Sequence, residues 1–276
     1  MNRQISLLAV SDPSLASAVN RSFSRTLART LLSCLIACTM LQATPAQAQS
    51  ASSVSPAKLG DVKPRASDAE WTSYRDAYKS MLWFEKFGKP KNLIQVHLQI
   101  VPKDKNSNIE NYGLHILGKT IHLNLPLDTL GRAALPLLKS AYDENAELVL
   151  NQKSGQASFQ FRTSLILRAD GIYEMSELRA ACEQALSYQA YIDPALSKSK
   201  KCVGVRLGFA KKDYAAHVET RMPNTNTQTL TLTDNSSLWA DGINNVKAVN
   251  LLFAQYPEKS QLFTRTSPLG MIALIE

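Results

Sequence analysis

The stretch 93-LIQVHLQI-100 decides the fold class of this chain. Apolar residues alternate along it with glutamine and histidine. A period of two residues places these two sets of side chains on opposite faces of a β-strand. The stretch therefore predicts a strand with one buried and one polar face.

Strand-like segments recur along the rest of the chain at intervals of about eight to twelve residues, separated by turn signals such as Gly118 and the sequence 128-DTLG-131. We expect further strands at 114–116, 120–125, 133–137, 147–150, 159–168, 203–209, 229–233, 249–253, 262–265 and 271–275. This spacing predicts antiparallel sheets in a sandwich-like arrangement.

Two helices are expected among these strands. Ser67 and Glu70 form a capping box for the first helix, which Gly88 and Pro90 end. Its apolar face consists of Trp71, Tyr74, Tyr78, Met81 and Leu82. We interpret this aromatic stripe as core rather than as a ligand platform, because stripes at helical spacing usually pack inward.

The second helix runs over residues 176–192 and stops at Asp193 and Pro194. The fold class is thus α+β: β-rich, with antiparallel, sandwich-like sheets and two main helices. Residues 67–193 hold the first helix, a first β-unit and the second helix. Residues 194–276 form a second β-unit packed on that same helix, which predicts one continuous core.

The first 48 residues predict a signal peptide. Arg25 and Arg29 precede an apolar run at 31–41, and Ala46 and Ala48 stand at the −3 and −1 positions before Gln49. The run is too short for a bilayer span, which needs about 20 residues. Residues 49–66 then form a flexible linker. These features predict export to the periplasm.

A second interpretation of the leader stays open. Residues 35–38 fit a lipobox, in which the chain is cut before Cys38 and that cysteine is acylated. The protein would then be a lipoprotein. We expect membrane association only if Cys38 is acylated.

Two cysteines remain after the leader, Cys182 and Cys202. In an oxidising compartment they most simply form one disulfide across a separation of 20 residues. A buried free thiol at each position is the alternative.

The charge of the chain does not indicate nucleic-acid binding. The formal net charge is +8, and residues 49–276 hold 27 basic and 22 acidic side chains, a net charge of +5. Lys198, Lys200 and Lys201 form a basic cluster that could meet anionic lipid or nucleic acid, but no aromatic residues are interleaved with them. We expect a solvated loop and no nucleic-acid partner.

No motif with catalytic or cofactor-binding spacing was found, so we expect no cofactor and no metal. The four histidines, His97, His115, His122 and His217, do not stand at metal-ligand spacing. The sequence 197-SKSK-200 matches a serine-enzyme motif only by chance, because its companion motifs occur in the wrong order. The acidic residues Asp143, Glu144 and Glu147 could supply paired carboxylates for glycoside hydrolysis, although a solvated turn explains them better.

Four stretches resemble a family of uncharacterised exported proteins from Gram-negative bacteria, which is defined only as a domain of unknown function. They are 74-YRDAY-78, 123-LNLPLD-128, 141-AYDENAE-147 and 179-RAAC-182. The resemblance extends from about Trp71 to the C-terminus. It implies a periplasmic location and no particular activity, ligand or catalytic residue.

The sequence thus predicts an exported envelope protein that is not an enzyme and that binds an envelope protein or ligand whose identity the residues do not specify. The alternative is an envelope hydrolase that acts on glycan or peptidoglycan through Asp143, Glu144 or Glu147.

Overall fold

A computed structural model describes residues 68–197, 199–224 and 226–276, with only the backbone at 196 and 197. The predicted signal peptide, its cleavage site at Ala46, Ala48 and Gln49, the lipobox at Cys38 and the linker lie outside the described residues. Within the described part of the chain, no helix combines the length and apolar character that crossing a bilayer requires.

The described residues form a β-rich α+β structure with three α-helices. The helices are α1 (Tyr74–Lys86), α2 (Lys139–Asp143) and α3 (Met175–Ile192). The strands are β1 (Ala69–Ser73), β2 (Ile94–Pro102), β3 (Leu114–Leu117), β4 (His122–Leu125), β5 (Arg132–Ala133), β6 (Glu147–Lys153), β7 (Ala157–Leu165), β8 (Ile172–Glu174), β9 (Cys202–Ala210), β10 (Val218–Arg221), β11 (Thr227–Leu230), β12 (Thr233–Ser236), β13 (Val246–Leu252), β14 (Gln261–Thr264) and β15 (Gly270–Ile275).

These strands form four antiparallel sheets among the described residues. Their strand orders are β1-β6-β3-β4, β5-β2-β7, β11-β10-β14-β8 and β12-β13-β9-β15. The expectation of antiparallel, β-rich structure is confirmed.

The stretch that decided the fold class is strand β2, paired with β7 over its whole length. Leu98 and Ile100 are buried on one face and belong to a core group that Phe159 and Phe161 of β7 also contact. Gln99 is buried on the opposite face. The alternation therefore predicted the strand correctly, but its polar face is also covered.

The start of the first helix was predicted wrongly. Residues after Asp68 form β1, which pairs with β6, and α1 begins only after Ser73, whose Oγ accepts a hydrogen bond from the Asp76 amide at 3.3 Å. Glu70 does not cap the helix; its carboxylate accepts a hydrogen bond from the Gly155 amide. The ladder with β6 satisfies backbone groups that an isolated helical turn leaves unpaired, so tertiary pairing overrides the local capping signal.

Two further differences lie between β4 and β6. Of the strand expected at 133–137, only Ala133 lies in a strand, the two-residue β5, and α2 follows where a turn was expected. Asn145 ends this helical segment with a positive φ of 53°, a conformation that asparagine tolerates better than most residues. The chain then turns directly into β6.

Helix α3 lies against strands of both predicted β-units. It packs on β2 and β7 and also on β9 and β15. Its buried side chains join a core group with those of β9, β13 and β15: Leu178, Ala181, Cys182, Val205, Leu207, Leu251 and Met271. A second core group lies around α1, β3 and β6 and includes Tyr74, Leu114, Ile116, Leu148 and Leu150.

Cys182 and Cys202 form a disulfide, with Cα atoms 5.9 Å apart. This distance lies in the usual range for the bond. The predicted pairing is confirmed in the described structure, and it ties the middle of α3 to the first residue of β9.

Candidate functional site

The most unusual surface of the described structure is a group of exposed apolar side chains at the ends of two helices. Trp83 of α1 is 50% exposed, and Tyr191 and Ile192 at the end of α3 are 38% and 50% exposed. The rings of Trp83 and Tyr191 meet edge to face, with centroids 5.4 Å apart. We call these three residues the aromatic surface.

A layer of buried rings holds the aromatic surface in place. Phe87, next after α1, contacts Tyr188 and Tyr191 of α3 with centroids 5.3 Å from each. Phe84 packs edge to face on Tyr188 at 5.2 Å. Burial raises the pKa of Tyr188 to about 12, so its hydroxyl stays neutral. Rigid aromatic packing therefore fixes the exposed rings above it.

Exposed lysines lie close to the residues of this surface in the sequence. Lys79 and Lys86 lie four residues before and three residues after Trp83, which places all three on one face of α1. Lys89 follows the helix, and Lys200 and Lys201 follow α3 and its short 3₁₀ segment; all five are exposed. We call these five residues the flanking lysines.

Another lysine, Lys91, stabilises the end of α1. Lys91 donates hydrogen bonds to the carbonyl oxygens of Phe84 and Glu85 at 2.6 and 2.8 Å, and its Nζ lies 4.9 Å from the Phe84 ring centroid. It thereby gives the Glu85 carbonyl at the end of α1 a partner and adds a second hydrogen bond to the Phe84 carbonyl, which also accepts from the Phe87 amide.

A second unusual region is the polar face of β2 and β7. Gln99 is only 2% exposed; its amide donates to the Leu130 carbonyl at 2.9 Å and accepts from Arg162 Nε at 3.1 Å. Nε2 of His97 lies 3.1 Å from Oγ of the fully buried Ser164. These buried polar groups are paired with one another, as burial requires.

Residues of the second β-unit cover this polar face. Arg162 bonds to Asp241 and lies over the Trp239 ring. Arg132 bonds to Asp128 at 2.7 Å and donates to the Leu269 carbonyl at 2.7 Å. The polar face is therefore a joint between two parts of the chain.

A shallow cavity of about 360 Å³ opens beside His97, lined also by Leu127, Asp128 and Arg132. Burial and the Arg132 guanidinium lower the pKa of His97 to about 4, so its imidazole is neutral at neutral pH. Ser164 does not line this cavity. A second cavity of about 450 Å³ lies near Glu110 and Lys212.

The three acidic residues of the hydrolase alternative lie near α2, and none lines either cavity. Asp143 pairs with Lys139 at 2.5 Å, four residues earlier on the same helix. Glu144 accepts hydrogen bonds from the amide and hydroxyl of Thr120, which lower the pKa of its carboxyl. Glu147 begins β6.

The four histidines are dispersed. His97 and His115 lie on β2 and β3, His122 on β4, and His217 pairs with Glu219 at 2.6 Å. Within the described residues, no three His, Cys, Asp or Glu side chains are grouped so that they could hold a metal ion.

Sequence reasoning missed the aromatic surface. It pointed to the stripe that includes Tyr74, which is fully buried, and to Trp71, which lies on β1. Trp83 stands nine residues after Tyr74, and nine residues are about two and a half helical turns. Trp83 therefore lies on the helix face opposite the buried stripe, and this position could have pointed to the aromatic surface.

Comparison with known proteins identifies no relative: no protein-family model matches the chain, and no curated protein and no solved structure matches it significantly.

Proposed function

We propose that this protein is exported to the cell envelope and acts there as a non-catalytic binding module. The observation that carries the proposal is the exposed aromatic surface at Trp83, Tyr191 and Ile192. Clustered exposed apolar side chains on a folded domain usually mark an interaction site, because leaving them in water is unfavourable.

The export part of the proposal rests on the leader. The basic residues, apolar run and small residues before Gln49 are typical of a signal peptide, and Cys38 remains the lipoprotein alternative. The Cys182–Cys202 disulfide supports an oxidising compartment. The periplasmic location implied by the family resemblance stays a prediction. The sandwich-like arrangement of the sheets also stays a prediction.

The binding proposal can be tested with a photoreactive amino acid. The full chain would be expressed with p-benzoylphenylalanine in place of Trp83 and irradiated in living cells. We expect discrete adducts to a partner molecule. Tyr214 is the matched control, since it is 89% exposed but contacts Lys247 rather than another exposed ring. The same adducts from both positions, or none from position 83, would contradict the proposal.

Intact-mass measurement tests export separately. Mature protein beginning at Gln49, or at its cyclised form, is the expected product. A diacylglyceryl group on Cys38 would instead establish the lipoprotein.

A further inference from the structure

We infer that the partner of the aromatic surface is a lipid bilayer with anionic phospholipid headgroups; this inference rests on the binding function proposed above. Its basis is the combination of exposed apolar side chains with the exposed lysines Lys79, Lys86 and Lys89 beside Trp83. Trp83 and Tyr191 would lie at the level of the headgroups, and Ile192 would enter the outer part of the acyl region.

The aromatic residues suit a membrane interface. Tryptophan and tyrosine combine a large apolar ring with a polar atom, and both are enriched where a bilayer meets water. The two helices present these residues at their ends, held by the rings of Phe84, Phe87 and Tyr188. The exposed rings are thus fixed before binding, which lowers the entropic cost of docking.

The charges around the surface favour an anionic partner. Residues 79–91, which include Trp83, hold four lysines and one acidic residue, Glu85; residues 191–201, which include Tyr191 and Ile192, hold three lysines and Asp193. Lysines close to an anionic bilayer are attracted to its negative surface potential. Of the flanking lysines, Lys79 alone has a described ion-pair partner, Asp76 at 3.7 Å, and both groups are largely exposed.

The choice of basic residue favours lipid over protein. The two segments contain no arginine. Protein–protein interfaces are enriched in arginine and depleted in lysine, because the lysine ammonium is strongly hydrated and loses that water when buried. At a bilayer surface the ammonium can remain hydrated beside the phosphates. Exposed lysines without arginine beside an exposed tryptophan therefore fit headgroups better than a protein partner.

This route to a membrane does not need acylation. From the sequence alone, we expected membrane association only if Cys38 is acylated. The aromatic surface belongs instead to the folded part of the chain. The test accordingly uses the full chain carrying Cys38→Ser, so that no acyl anchor can form.

The experiment is co-sedimentation with vesicles of phosphatidylcholine alone and of phosphatidylcholine mixed with phosphatidylglycerol in equal amounts. We expect binding to the mixed vesicles to be at least about tenfold stronger, and to weaken as salt is added. Trp83→Ala should weaken binding to the mixed vesicles several-fold, and Trp83→Phe less. Lys86→Gln with Lys89→Gln should also reduce it by about tenfold. Tyr214→Ala is the control and should leave it unchanged.

Several outcomes would overturn the inference: no sedimentation, equal binding to both vesicles, or equal losses from the Trp83 and Tyr214 variants. If the protein does not bind vesicles but photocrosslinking at position 83 captures a protein, the lipid inference is wrong and the proposed binding function is supported. If both experiments fail, the binding function falls as well. Circular dichroism of each variant checks that it is folded.

Discussion

The aromatic surface and the polar face of β2 and β7 depart from the usual distribution of side chains in opposite directions. At the ends of α1 and α3, large rings such as Trp83 stand in water. On β2, the amide of Gln99 is buried. Both regions invert the rule that apolar groups lie inside and polar groups outside.

Their surroundings give these inversions different meanings. The buried amide of Gln99 is paired on both sides, so its burial costs little, and its partner Arg162 in turn bonds to Asp241 of the second β-unit. Trp83 has a ring neighbour in Tyr191 but remains half exposed. A buried polar group whose hydrogen bonds are all made indicates a structural role. An exposed apolar cluster indicates a surface for a partner. Substitutions should separate the two regions by their effects on stability.

The largest loss of stability should come from breaking the disulfide that fixes α3, the helix carrying Tyr191. Cys182→Ser should lower the free energy of unfolding by about 2–5 kcal/mol, the usual cost of losing a native disulfide. Denaturant titration under non-reducing conditions measures this. Cys202→Ser breaks the same bond, but the fully buried Cys182 should be the costlier site for a hydroxyl.

The same variant tests the shared core. Because α3 packs against strands of both β-units, we expect Cys182→Ser to unfold in one cooperative transition. Two separate transitions, with the first β-unit retaining its wild-type midpoint, would show two independent cores.

The polar face should respond to Gln99→Leu with a loss of about 1–3 kcal/mol, because the Leu130 carbonyl and Arg162 Nε lose their partner. Gln95→Leu is the matched control on the same face of β2. Its amide reaches only the Leu165 carbonyl, at 3.5 Å, and it is less buried. Equal effects of the two variants in urea unfolding would mean that the paired, buried amide of Gln99 adds no particular stability.

His97 should make the stability of the fold depend on pH. Its pKa falls from 6.5 to about 4 on folding, so between these values the unfolded chain binds more protons. The contribution of His97 to stability is therefore complete above pH 6.5 and is lost as pH falls towards 4. One pKa unit corresponds to about 1.4 kcal/mol; because the imidazole is still partly exposed, we expect a smaller total of about 1–2 kcal/mol.

His97→Gln should flatten this pH dependence in urea unfolding measured between pH 7 and about 4. Burial also lowers the pKa of His115, so His115→Gln should remove a separate part of the slope and leave that of His97. An unchanged slope in His97→Gln would contradict the assignment.

The smallest effect should come from the aromatic surface. Trp83→Ala should change the free energy of unfolding by only about 0.5–1 kcal/mol, since half of the ring is already in water and the main loss is the contact with Tyr191. Tyr214→Ala should have even less effect. A loss of stability as large as that of Gln99→Leu would show that Trp83 has a structural role. The two regions would then not differ in the way proposed.

Local sequence patterns were sufficient to predict much of the secondary structure. The alternation at 93–100 predicted β2, the apolar period at 176–192 predicted α3, and Gly88 and Pro90 marked the end of α1. They succeed because side-chain period and backbone-restricting residues act within a few positions of the chain. The pairing of Cys182 with Cys202 was also predicted from the sequence, since the other two cysteines, Cys34 and Cys38, lie in the predicted signal peptide.

Tertiary structure decided the features that depend on distant partners. Residues 69–73 are a strand because β6 supplies their backbone hydrogen bonds. Gln99 is buried because its partners come from Leu130 and Arg162, 31 and 63 residues away in the chain. The aromatic surface exists because two helix ends, separated by more than 80 residues of sequence, bring Trp83 and Tyr191 together. The periodicity of apolar residues shows which face of one helix or strand is apolar. Whether a side chain is exposed or hydrogen-bonded depends on which other parts of the chain pack against that face.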